Sequence, residues 1–229
     1  MSRSRTALFV FAALCGVLAS PAWSADEAVA RVERLTGVVE AVAVDQPPRR
    51  IAAGTTIASG ERIQVGADSN VTLRFRDESL FDIGAHGVLV VDRFEMAKTP
   101  EESAFTTRIL KGAFRFVTGL IARSRPSSMR VGLSVATIGI RGTQVAGEVD
   151  ETSAKVILLE PEDDPRRSTA VEVANQFGSV VIDQPGFGTE IPDQFSPPSP
   201  VRRMQVRQIE DLLRAIRSSG MRMQPPRPR

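Results

Sequence analysis

Tyrosine is absent from this 229-residue chain, and cysteine, tryptophan and histidine occur once each, as Cys15, Trp23 and His86. A lone cysteine closes no internal disulfide, and one imidazole without thiolate partners falls short of the ligand set of a zinc site. No loop of regularly spaced Asp or Asn suggests calcium, so neither a metal nor a cofactor is expected. His86 lies in Ile83-Gly84-Ala85-His86-Gly87, where the glycines mark a turn, and no Gly-x-Ser-x-Gly elbow accompanies it. Glu162, Asp163 and Asp164 sit between Pro161 and Pro165, which reads as a solvated loop rather than an acid/base pair. No catalytic residue is expected, and the scarcity of aromatic side chains argues against a sugar-stacking lectin.

The first residues carry Arg3 and Arg5, then an apolar run from Ala7 to Ala19, then Pro21 and the small-residue stretch Ala22-Trp23-Ser24-Ala25. This is the layout of a secretory signal peptide over 1–25, cleaved near Ser24 or Ala25. The run of about 13 residues is shorter than the roughly 20 that a helix needs to cross a bilayer. Leu14 before Cys15 does not suit lipid attachment. The mature protein is then expected in the periplasm or outside the cell, free of cysteine and stabilised by its core alone.

The chain holds 29 basic and 27 acidic residues, and removal of Arg3 and Arg5 would leave the two balanced. The balance conceals an asymmetry. Residues 201–229 contain eight arginines against Glu210 and Asp211, so the remainder of the mature chain is acidic. A basic globular surface is lacking, and with export it removes most of the case for nucleic acid as partner.

Residues 26–191 read as one β domain, in which short alternating runs are broken by Gly, Asp, Asn and Pro. In Asn70–Arg76, Val71, Leu73 and Phe75 share one face while Thr72, Arg74 and Arg76 share the other. Similar runs are 31–35, 38–44, 61–65, 80–83, 88–94, 105–110, 114–117, 129–138, 144–149, 154–159, 170–173 and 179–183. The expected class is all-β: an irregular β-sandwich or solenoid-like domain of many short strands, followed by one C-terminal amphipathic helix. Residues 192–200 (PDQFSPPSP) read as a proline-rich linker. In 201–218, Val206, Ile209, Leu212, Leu213 and Ile216 fall at helical spacing, with Arg202, Arg203, Arg207, Arg214 and Arg217 on the other side. Residues 219–229 read as a disordered basic tail.

The most distinctive stretch is Gly139-Ile140-Arg141-Gly142-Thr143, an arginine framed by glycines in an apolar strand context. Two readings follow: the guanidinium of Arg141 pins two β layers by bonding carbonyls or a carboxylate, or it binds an anion.

Two blocks resemble the FecR domain family. The first is Gly37-Val38-Val39 with Ala53–Gly66 and then Val71–Gly84; the second is Phe114–Gly119 with Val135–Thr143, ending Ile140-Arg141-Gly142-Thr143. Where the family has an Asp-Gly-Ser turn, this chain has Asp77-Glu78-Ser79. The resemblance spans about residues 30–150 and implies a non-enzymatic, all-β periplasmic domain. In the best-known members that domain relays the occupancy of an outer-membrane transporter to an anti-sigma segment. Only six residues precede the apolar run here, so no anti-sigma segment and no transmembrane relay are expected within this chain.

The expectation is a FecR-like module for protein interaction or sensing in the cell envelope, with an envelope protein as partner. The helix residues Arg202, Arg203, Arg207, Ile209, Leu213, Arg214, Ile216 and Arg217 are candidates for docking onto that partner or onto an anionic membrane surface, against simple packing on the β domain. The alternative is a periplasmic small-molecule or polymer-binding protein with its cleft near Arg141. A concave polar pocket would favour the binder; an exposed apolar patch or open sheet edge would favour the interaction module.

Overall fold

The computed structural model describes residues 28–99, 102–141, 144–161 and 169–217. The expected leader, the Glu162–Asp164 loop, the tail 219–229, and Gly142 and Thr143 of the arginine motif lie outside the described residues. In chain order the strands are β1 (Ala28–Thr36), β2 (Val39–Val42), β3 (Arg49–Arg50), β4 (Thr56–Ala58), β5 (Arg62–Val65), β6 (Asn70–Phe75), β7 (Leu80–Ile83), β8 (Val88–Glu95) and β9 (Ala104–Val117). After a short helix, α1 (Leu120–Ser124), come β10 (Met129–Leu133), β11 (Thr137–Arg141), β12 (Gln144–Val149), β13 (Ala154–Leu159), β14 (Ala170–Asn175), β15 (Gly178–Ile182), β16 (Phe187–Ile191) and β17 (Arg202–Arg203). Helix α2 (Val206–Arg217) closes the described chain.

Strand pairing resolves these elements into two sheets. One runs β4-β1-β6-β7-β9-β12-β13-β16-β17, antiparallel throughout. The other runs β3-β2-β5-β8-β9-β10-β11-β14-β15, with β9 and β10 parallel and the rest antiparallel. β9 belongs to both. Its first half pairs with β8 and β10, its second half with β7 and β12, and the bend falls at Gly112 with φ +96°. A Cβ there would lie 2.7 Å from Gly87 Cα, so both the left-handed backbone and the close approach require glycine. The architecture is thus an irregular sandwich whose layers share one long strand.

The inward faces of both sheets fuse into one core. Phe75, Phe81, Phe94, Phe105 and Phe116 pack at its centre, with ring centroids as close as 4.6 Å between Phe75 and Phe105. The alternation read in Asn70–Phe75 holds for Val71, Leu73 and Phe75, which are buried. A second, smaller core forms on the outer face of the first sheet, where Leu212 and Ile216 of α2 cover Ala113, Ala146, Ile157, Leu159 and Met204. The protein therefore has three layers: sheet, sheet, helix.

The return from β9 to β10 is a crossover through α1 and a 3₁₀ turn at Pro126–Ser128. It is anchored by the turn between β6 and β7. Leu120 N–H donates to the Asp77 carbonyl at 2.7 Å, Ile121 N–H to the Asp77 carboxylate at 3.4 Å, and Gly119 N–H to Ser79 Oγ at 2.8 Å. These bonds satisfy amides at the start of α1 that have no partner within the helix. In doing so they fix where β10 enters the second sheet.

Candidate functional site

Two neighbouring features occupy the β10-β11-β14-β15 end of the second sheet. The first is a groove of about 520 Å³ on its outer face, lined by Ser127, Arg130, Thr137, Gly139, Arg141, Ala170, Glu172, Ala174 and Val181 among others. Register explains the lining. Arg130 lies opposite Gly139, Gly139 opposite Glu172, and Glu172 opposite Val181, so one row of outward positions crosses four strands. Arg141 opposite Ala170 and Thr137 opposite Ala174 form the flanking rows. Small residues make the floor, and the two arginines and Glu172 make the walls.

Arg130 and Arg141 are exposed and form no hydrogen bond or ion pair with any described residue. Their neighbour Arg108, on the same sheet, is held by the Asp92 carboxylate at 2.7 Å. Arg141 thus does not bridge two β layers as the pin reading expects: it sits at the end of β11 with its side chain in solvent. The rest of the motif divides as follows. Gly139 lies on the groove floor, Ile140 is buried against the core, and Gly142 and Thr143 lie outside the described residues.

The second feature is the free edge of β15. Among the described residues it pairs with β14 alone. The other terminal strands of the two sheets, β3, β4 and β17, have two, three and two residues. β15 has five, Gly-Ser-Val-Val-Ile, with no charge. Val180 and Ile182 turn inward, leaving Ser179 and Val181 outward, with Val181 59% exposed. At the tip of the β14–β15 hairpin, Phe177 is 44% exposed, and the hairpin touches the proline-rich segment through Asn175 Nδ2, which donates to the Ser196 carbonyl at 2.8 Å. Phe195, beside Ser196, is 70% exposed. Neither Arg130 nor β15 was singled out from the sequence; the uncharged Gly178–Ile182 run is the signal that marks the edge.

The C-terminal candidates separate into two groups. Arg202 and Arg203 form β17 rather than the first turn of the expected 201–218 helix, because they pair with Gly188 and Phe187. Arg202 is ion-paired with Glu190 at 2.7 Å. In α2, Ile216 is buried and Ile209 and Leu213 are partly buried in the second core, so the helix packs on the β domain with its apolar side. Arg214 pairs with Asp211 at 2.9 Å, and Arg207 is exposed. Arg217 contributes its carbonyl to Asn70 Nδ2 at 3.3 Å. The segment 192–200 also folds back: Ser199 Oγ accepts from Glu190 N–H at 2.9 Å and its carbonyl accepts from Thr189 Oγ1 at 2.6 Å.

His86 is exposed in the turn between β7 and β8, with φ +57°. Among the described residues no group of three or more His, Cys, Asp or Glu could hold a metal ion. No described helix is long and apolar enough to cross a membrane.

Residues 61–161, from β5 through β13, match the family described as FecR protein. Over this stretch the chain is similar to the FecR family. The FecR match takes in the shared strand β9, the crossover and the β10–β11 hairpin, and stops short of β14 and β15. Two crystal structures of a proposed anti-sigma factor from Parabacteroides distasonis, at 1.65 and 2.50 Å resolution, share the fold with a TM-score of 0.50 each. They are 12% and 13% identical, and the likeness covers 67% of this chain and 64% of theirs. The chain therefore spans about two thirds of the length of those structures. Comparison with curated proteins finds no match.

Proposed function

We propose that this chain is an exported, non-catalytic FecR-like module that senses or relays by contacting another protein of the cell envelope. The open edge of β15 carries this reading. A five-residue uncharged edge strand presents unpaired backbone donors and acceptors, and soluble proteins ordinarily shorten, charge or cover such edges. This sheet blunts its other end to two residues in β3 and, among the described residues, leaves β15 open. An extended segment of a partner protein would add a strand there, with Val181, Phe177 and Phe195 as apolar contacts. FecR kinship and the anti-sigma description of the structural neighbours support a regulatory role of this kind.

Export rests on the 1–25 segment, whose cleavage should leave a mature protein beginning at Ala25 or Asp26. Contact with an anionic membrane surface through Arg207 and Arg214 remains compatible with the helix, although its apolar side already packs inward. The test is affinity capture from envelope extract with the wild-type protein and with Val181→Lys, which charges the edge. A partner captured by the first and lost by the second supports the reading; equal capture by both contradicts it.

The second reading, a small-molecule or polymer binder, is favoured by one observation, the groove beside Arg141.

A further inference from the structure

We infer that the groove between Arg130, Arg141 and Glu172 is a binding site for a small organic oxyanion: a carboxylate- or phosphate-bearing molecule that also offers a hydroxyl or amino donor. The inference rests on the second reading, that the groove binds a ligand, and is independent of whether β15 pairs with a protein.

Geometry comes first. Arg130 and Arg141 are one strand apart and offset by two residues, because Arg130 lies opposite Gly139 and Arg141 follows Gly139 by two. Standard sheet spacings put their Cα atoms about 8 Å apart on the same face. Two guanidinium arms rooted at that distance can converge on one oxyanion, each supplying a planar pair of donors. Among the described residues neither has a carboxylate partner, whereas Arg108 on the same sheet has Asp92. Among the described residues that line the groove, Glu172 is the one carboxylate that faces this charge.

Gly139 supplies the second argument. Its backbone is an ordinary strand and not in the left-handed region, and a Cβ would meet nothing closer than Glu172 Cβ at 3.8 Å. The fold would accept a side chain at this position, in contrast to Gly112. What a side chain would remove is the space between Arg130 and Glu172, over the floor formed with Ala170 and Ala174. The glycine therefore preserves room for a ligand body, with Val181 as an apolar wall. Glu172, placed across this floor from Arg130, fits a donor on the ligand and disfavours simple dianions that have none.

The test is nuclear magnetic resonance on ¹⁵N-labelled exported protein, following the Gly139 amide and the arginine Nε–H signals. The probes are inorganic phosphate, succinate, serine O-phosphate and, as a neutral control, maltotriose. The inference predicts saturable shifts confined to Gly139, Arg130 and Arg141, strongest for serine O-phosphate, which carries both an oxyanion and an amine. Arg130→Gln and Arg141→Gln should each weaken binding roughly tenfold. Gly139→Leu should abolish it while the remaining spectrum, and hence the fold, is retained. Shifts with maltotriose that Gly139→Leu blocks and Arg141→Gln leaves unchanged would overturn the oxyanion assignment yet keep the groove as a binding site. No saturable shift with any probe would overturn both.

Discussion

The Ser79 hydroxyl donates to the Asp77 carboxylate over 2.9 Å, and the residue between them, Glu78, is held at φ +66°. The FecR family places glycine at this position. Here an L-residue occupies the left-handed conformation, which costs roughly 1–2 kcal/mol without glycine's freedom. The exposed ion pair of Glu78 with Arg74, at 2.9 Å, returns at most about 1 kcal/mol of that. Glu78→Gly should therefore leave the urea midpoint unchanged or raise it, whereas Glu78→Val should lower stability by about 1–2 kcal/mol. A large loss with Glu78→Gly would show that the ion pair, and not the turn, dominates.

Asp77 is fully buried beneath this turn, and burial pushes its carboxyl above the ordinary value of 3.8, with the hydrogen bonds from Ser79 and Ile121 opposing the shift without cancelling it. The native state then holds the proton more tightly than the unfolded chain. The stability contributed by the protonated group is complete below about 3.8 and is lost as pH rises through the folded value. The difference in unfolding free energy between wild type and Asp77→Asn should accordingly shrink as pH climbs from 3.5. A difference that grows with pH would mean that the hydrogen bonds outweigh burial.

Gly112 and Gly139 should respond in opposite ways to the same substitution. Gly112→Ala forces a side chain onto a backbone at φ +96° and into the backbone of Gly87, so a loss of at least about 1–3 kcal/mol is expected by chemical denaturation. Gly139→Ala should be neutral or stabilising by about 0.4–1 kcal/mol, because it restricts the unfolded chain without clashing. Equal losses would contradict the account of the shared strand.

Helix α2 acts as a layer of the fold. Ile216→Ala removes a side chain buried over Ala113 and Ala146 and should cost about 2–5 kcal/mol. Arg207→Ala, at an exposed position, should stay within about 0.5 kcal/mol. A negligible effect of Ile216→Ala would instead place the helix free of the sheet.

Much of the fold is legible in the chain. Asn70–Phe75, Leu80–Ile83, Gln144–Val149 and Ala154–Leu159 form strands where alternation puts them, since one face of each meets a core. The runs 105–110 and 114–117 turn out to be one strand, because Gly112 bends the chain without stopping it. The run 129–138 divides into a hairpin whose turn is disguised by the buried apolar pair Val135 and Ala136. β16 escaped notice because Gly188 and Thr189 interrupt its apolar pattern, while Gly188 is needed where the Val156 carbonyl approaches closely. Arg141 stood out locally, yet its partnership with Arg130 and Glu172 depends on strand register, which no local pattern reveals.

The most direct test of the proposed role is photocrosslinking in living cells from position 181 on β15, with position 44, exposed at the far side of the pairing order beyond β2, as control. The account predicts a discrete adduct with one envelope protein from position 181 and none from position 44, lost when Ser179→Pro disrupts the edge. Identical adducts from both positions, or an adduct from 44 alone, would contradict β15 as the contact strand.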